Sequence, residues 1–265
     1  MPTNEQRRKA AKRKLERQIE RRAERARRRR QRLTIVAVVA VVVVIVAGVG
    51  IYLATRPSSP EAAPAAASGA CQYIPEGQAS RPVQNPDANP PRTGIVGVTL
   101  QTSQGAIPLT LDRAQAPCAV NAVASLAQQG FYNDTPSHRL TTGEGLKVLQ
   151  CGDPTGTGSG GPGFRYAEEP PTNLAPSPLG QGASDYSRGL VAMAKTSDPD
   201  TTGSQFFLVY ADSALPPQYT VVGRISNAGL AVLDKVAAAG SDNSGGEGDG
   251  KPKLPVQITQ AQLQG

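Results

Sequence analysis

Residues 34–54, TIVAVVAVVVVIVAGVGIYLA, contain no charged residue and no proline. No other stretch limits the possible folds of this chain so strongly. As a helix rising ~1.5 Å per residue, these 21 residues match the ~30 Å hydrocarbon core of a bilayer. In lipid every backbone polar group must be paired inside the segment, so a single span is helical. Many basic residues precede the run and only Arg56 closely follows it. That asymmetry predicts a cytoplasmic N-terminus, with everything beyond residue 57 or so outside the cell membrane. A cleaved signal peptide fits less well, because the basic region is too long and no good cleavage site abuts the apolar run.

The charge divides at the same place. Residues 1–33 hold 15 of the 28 Lys and Arg and four of the 21 Asp and Glu, so this arm carries +11 and the remainder −4. The pI near 9.5 therefore describes the arm. A basic segment beside a membrane span is suited to anionic lipid head groups, so lipid is the expected partner and nucleic acid is not. Residues 55–93 are rich in Pro and Ala without a period of 2 or 3.6, and read as a linker. Three cysteines, with no CxxC, argue against structural zinc. They allow either one disulfide with a spare thiol or lone buried thiols. In an oxidising exterior Cys118 and Cys151 are the pair we expect.

Residues 94–265 form the folded part. IVGVTLQTSQGAIPLTL (95–111) predicts two strands around a turn at Ser103–Gly105. PCAVNAVASLAQQG (117–130) predicts a helix started by Pro117 and ended by Gly130. Further strands are expected around His138–Arg139, at LKVLQCG, GLVAMAK (189–195), SQFFLVY (204–210) and YTVVGRI (219–225), and in LPVQITQAQL. NAGLAVLDKVAAAG (227–240) predicts a second helix with Asn227 as its cap. SDNSGGEGDGKP reads as a mobile loop without calcium-loop spacing. Many short strands with two distant helices suit a closed antiparallel barrel plugged by helices.

Two blocks carry the chemistry: HRLTTGEGLKVLQCGDPTGTGSGGPG (138–163) and, about 40 residues on, GSQFFLVY (203–210). With FYNDTPSHRL, GLVAMAK and YTVVGRI, in this order, the chain from residue 94 resembles a cyclophilin-type peptidyl-prolyl cis-trans isomerase. The whole layout is similar to membrane-anchored bacterial forms. The resemblance implies a mainly β fold, a closed eight-stranded antiparallel barrel capped by two helices. Here a transmembrane helix and a linker would precede it.

An X–Pro bond isomerises slowly because amide resonance must break, against a barrier of ~18–20 kcal/mol. No covalent step, metal or cofactor is needed. A donor fixed beside the twisted, newly basic amide nitrogen stabilises that state more than the planar one. Lowering the barrier by ~7 kcal/mol gives ~10⁵-fold.

By resemblance, Arg139 is the essential Arg, and Gln150 fixes it and the substrate carbonyl. Lys147, Val148, Ala194, Lys195, Gln205, Phe207, Leu215 and Tyr219 match the substrate-binding positions. Val148 stands for a common Met, Lys147 for an aromatic residue, Lys195 for Asn and Tyr219 for His. TTGEG (141–145) is longer than in common members, and the chain has no Trp.

Out of context, a lone strand Arg is a surface ion pair, and His138 reads as structural. The glycine run lacks the GKS/T ending of a phosphate cradle. Phe206 and Phe207 alternate across a strand, so one faces the core and the other the groove. The expected function is prolyl isomerisation of proline-containing peptides, assisting exported proteins. The rival is a tethered module that binds proline peptides with little catalysis, because Lys147 spoils the pocket.

Overall fold

The computed structural model describes residues 69–264. The basic arm, the predicted transmembrane helix and residues 55–68 of the linker lie outside the described residues. Among the described residues, no helix is long and apolar enough to cross a membrane.

The elements in chain order are β1 (Ile74–Pro75), β2 (Ile95–Thr102), β3 (Gly105–Asp112), α1 (Pro117–Gln128), β4 (Thr135–Pro136), β5 (Arg139–Thr141), β6 (Val148–Cys151) and β7 (Phe164–Arg165). There follow β8 (Ser184–Tyr186), β9 (Leu190–Met193), β10 (Phe206–Val209), β11 (Ser213–Leu215), β12 (Val221–Ile225), α2 (Asn227–Ala239), β13 (Asp249–Gly250) and β14 (Gln257–Gln264). Ten strands join in one antiparallel sheet, ordered β13-β5-β6-β10-β9-β12-β3-β2-β14-β4. The expected closed eight-stranded barrel is corrected on this point. The sheet is curled but open, because β4 and β5 lie at or near its opposite ends and do not pair with each other. Only Ser137 and His138 separate them in the chain, so the seam is crossed covalently and not by a ladder.

Alternation along the central strands sorts side chains onto two faces. Leu140, Leu149, Leu208 and Val191 sit opposite one another across β5, β6, β10 and β9, and all are buried in the main core. The buried face of α1 meets the same core through Ala119, Val120, Val123 and Leu126. Pro117 opens α1 without a side-chain cap of its own. The bare N–H groups of Cys118 and Ala119 donate instead to the Glu169 carboxylate at 3.1 and 2.9 Å. α2 is capped by Ser226, whose Oγ accepts from Gly229 N–H at 3.1 Å, and not by Asn227 as expected.

Three further expectations change. The disulfide joins Cys71 to Cys118, not Cys118 to Cys151. Cys151 lies inside the core on β6, where its Sγ meets Ser137 Oγ at 2.9 Å and is out of reach. The segment read as linker is bound to the domain from Cys71 onward. Cys71 and Tyr73 are buried, and Tyr73 donates its hydroxyl to Cys118 O at 2.9 Å. Finally, the loop after α2 is pinned. Asp242 Oδ1 accepts from Ser244 N at 3.0 Å and Lys251 N at 2.8 Å, and Asp249–Gly250 pairs with β5.

Candidate active site

The register brings the expected residues onto the face opposite the main core. Arg139 stands across from Gln150, Gln150 from Phe207, Phe207 from Ala192 and Ala192 from Val221. Directly opposed residues point to the same side of a sheet, so these five form one row over five strands. Val148 and Val209 form the next row on that face. Phe206 falls in the main core and Phe207 in a second apolar cluster with Val148, Tyr186, Leu190, Ala192, Val209 and Val221. Leu215, Tyr219, Ala194 and Leu146 pack against it, partly exposed. Period-two alternation thus separates the two phenylalanines as expected.

Polar groups form a chain along one side of the cluster. The Arg139 guanidinium is held by Asp249, Nε to Oδ1 at 2.8 Å and Nη2 to Oδ2 at 2.6 Å. This is the two-pronged geometry in which Arg and a carboxylate bind best. Asp249 raises the pKa of Arg139 by this bond, and in return its own is held below the usual carboxylate value. Arg139 Nη1 is left with a 3.5 Å contact to Gln150 Oε1. Gln150 Nε2 donates to Gln205 Oε1 at 2.9 Å, and Gln205 Nε2 donates to the Gly158 and Gly160 carbonyls at 2.9 and 3.1 Å. The glycine-rich loop thus orients the last of three linked side chains. Its own shape is set by Asp153, whose carboxylate accepts from the N–H groups of Thr155, Thr157 and Gly158. Burial raises the Asp153 pKa, but the opposing bonds from Thr155, Gly160 and Gly158 bring it down to about 2.

Among the other expected residues, Ala194 N–H donates to Gln205 O at 2.9 Å, beside the cluster. The Lys195 ammonium turns to the Thr196 and Asp198 carbonyls at 2.9 and 3.1 Å. Lys147 is half-buried and fixed through its backbone, its N–H donating to Ser213 Oγ at 2.9 Å. Its neighbours Leu146 and Val148 both join the apolar cluster. His138 is half-buried, neither ring nitrogen has a hydrogen-bond partner, and burial lowers its pKa.

Two participants escape sequence reasoning. Asp249 sits in a stretch of Gly, Ser and Asp with no hydrophobic period, and only its pairing to β5 brings it to Arg139. Tyr186 stands in the loop-rich 153–187 region. Its ring lies 6.4 Å from Phe207 and 6.3 Å from Tyr219, and its hydroxyl donates to Tyr219 O at 2.9 Å. Phe207 and Tyr219 themselves meet edge to face at 5.7 Å.

Residues 97–263 match the family model described as cyclophilin type peptidyl-prolyl cis-trans isomerase/CLD. A protein of Mycobacterium tuberculosis named "Probable peptidyl-prolyl cis-trans isomerase B" is 48% identical over 294 aligned residues, covering 99% of this chain and 94% of the relative. Its namesake in Mycobacterium leprae is 46% identical over 297, covering 99% and 100%. A peptidyl-prolyl cis-trans isomerase of Helicobacter pylori is 42% identical over 140 residues, 52% of this chain and 78% of the relative. Among solved structures, a cyclophilin type peptidyl-prolyl cis-trans isomerase of Cryptosporidium parvum superposes with a TM-score of 0.51 at 28% identity. It covers 65% of this chain and 99% of its own.

Proposed function

Since the chain belongs to the cyclophilin-type peptidyl-prolyl cis-trans isomerase family and is a prolyl isomerase, we propose that Arg139 is its catalytic donor. The observation that carries this reading is the row Arg139–Gln150–Phe207, in which a held guanidinium shares a sheet face with an apolar cluster. A proline ring would rest against Phe207, Val148, Leu215 and Tyr219. Asp249 occupies one edge of the guanidinium and leaves Nη1, whose contact to Gln150 Oε1 is long at 3.5 Å, to approach the amide nitrogen as it becomes pyramidal. Because Asp249 already fixes the donor, little reorganisation accompanies the reaction, and fixed donors of this kind lower barriers most. Gln150, itself held by Gln205, would hold the neighbouring carbonyl. Ala194 and Lys195 would offer backbone to the rest of the peptide.

The rival reading, a binding module without turnover, rests on Lys147 spoiling the pocket. Leu146 and Val148 both contribute to the cluster around it, which favours the enzyme. We further propose that residues 34–54 anchor the chain in the cell membrane with residues 69–264 outside, acting on exported proteins. The charge asymmetry supports this orientation, and so does the Cys71–Cys118 disulfide, a bond that persists in oxidising compartments.

The test is a proline-isomerisation assay on the full chain in detergent. Arg139→Ala is expected to lower kcat/KM by ~10²–10³, the usual loss on deleting one fixed transition-state donor. A variant as active as the parent would remove Arg139 from the mechanism.

A further inference from the structure

Residues 71–81 precede the stretch matched by the family, yet they reach the active face. The disulfide from Cys71 holds one end of this strap to α1. Arg81 fixes the other, donating to the carbonyls of Phe131 and Asn133. Between these ends the strap runs along the glycine-rich loop. Ile74 and Pro75 pair with Arg165 and Phe164, and Glu76 N–H donates to Gly163 O at 2.9 Å. Ser80 N–H donates to Gly161 O at 2.9 Å, and Gly161 N–H returns a bond to Ser80 Oγ at 3.1 Å. The loop lacks side chains where the strap lies on it. A Cβ on Gly163 would meet Ala79 at 3.0 Å, and one on Gly160 would meet Ser80 Oγ at 2.6 Å.

Glu76 and Ser80 are fastened through their backbones, and Glu76, Gly77 and Gln78 are exposed while Ala79 is half-buried. They face a cleft of about 600 Å³. Ala194, Lys195 and Thr196 also line it, together with Gln150 and Gln205 of the candidate active site. The strap and the catalytic polar chain thus border one continuous space.

We propose that Glu76–Gln78 form a wall of the substrate site and make the protein selective for long peptide substrates. This rests on the isomerase reading and deepens it. The segment recognised is an extended polar stretch flanking the X–Pro bond, whose backbone and side chains can exchange hydrogen bonds with Gln78, Thr196 and the loop glycines. A wall pinned at both ends loses little freedom when a peptide settles on it, so its contacts go into binding. The disulfide acts as a positioning device for that wall.

The experiment compares two substrates on the full chain in detergent. One is a capped dipeptide around the proline, and the other carries three more residues on each side. Gln78→Trp, at an exposed position, is expected to raise KM for the long peptide. The long-to-short ratio of kcat/KM should drop ~5-fold, the effect of losing one flanking contact. The Cys71→Ser/Cys118→Ser pair should move the ratio the same way, through KM and not kcat. An unchanged ratio in Gln78→Trp overturns the wall while leaving the isomerase reading intact. Failure of the parent chain to turn over either peptide would overturn both.

Discussion

Replacing Asp249 by Asn keeps the shape of the side chain and removes its charge, which isolates what the carboxylate does for Arg139. The two charge-assisted bonds at 2.8 and 2.6 Å would be worth ~1.5–3 kcal/mol each if buried. The side chains are 40% and 30% exposed, so solvent screening reduces the whole pair to about 1 kcal/mol. If that energy serves to hold the guanidinium in its reactive orientation, Asp249→Asn lowers kcat/KM by ~5-fold. The melting temperature should shift by only a few degrees. A double-mutant cycle separates orientation from general loosening. In an Arg139→Ala background, Asp249→Asn should have almost no further effect on turnover, because the group it aims has gone. The pH profile supplies a second check. The pKa of Asp249 is depressed in the folded protein, so its contribution is complete above the unfolded-state value of ~3.9. It is then lost as pH falls through the lower folded-state value. The parent should therefore lose activity only in acid, and the Asn variant should be uniformly low without that step. Additive losses in the cycle, or an Asn variant with parental kcat/KM, would refute the reasoning.

Two further outcomes follow from the two faces of the sheet. Phe206→Ala should cost ~3–5 kcal/mol of stability, read by denaturant titration, because Phe206 packs in the main core edge to face with Tyr132 at 5.5 Å. Phe207→Ala, one residue on, should instead lower kcat/KM by ~10-fold or more while the chain still folds, as judged by circular dichroism. Gly152→Ala should lower soluble yield sharply. Gly152 has φ of +95°, and a Cβ there would strike the Ser204 carbonyl oxygen and come within 2.9 Å of Gln205 Cα.

The residues expected at the site lie together in the fold, whereas the expected closure of the sheet does not occur. Arg139, Gln150 and Phe207 are legible through the family resemblance of the blocks that carry them, and the strand register then places the three side by side. The separation of Phe206 from Phe207 rests on the two-residue period of a strand alone. Sheet closure depends on whether β4 and β5 meet, and two residues of connecting chain say nothing about this. The disulfide differs from the expected pair for a related reason. Cys118 and Cys151 both lie in predicted elements of the domain, whereas Cys71 sits in a stretch whose composition reads as linker. What ties that stretch down is a set of single contacts, such as Tyr73 to Cys118 and Arg81 to Phe131, and these have no periodic signature. Asp249 is illegible for the same reason, since a polar, glycine-rich stretch gives no hint of which strand edge it will join.

The third cysteine offers a way to watch the machinery move. Cys151 follows Gln150 directly in β6, faces the interior, and has its thiol pushed up to about 12 by burial. A reagent that seeks thiolates therefore finds nothing to attack until that strand separates from its neighbours. Its labelling rate counts how often the strand bearing Gln150 opens, with no introduced cysteine and no substitution on the peptide-binding face.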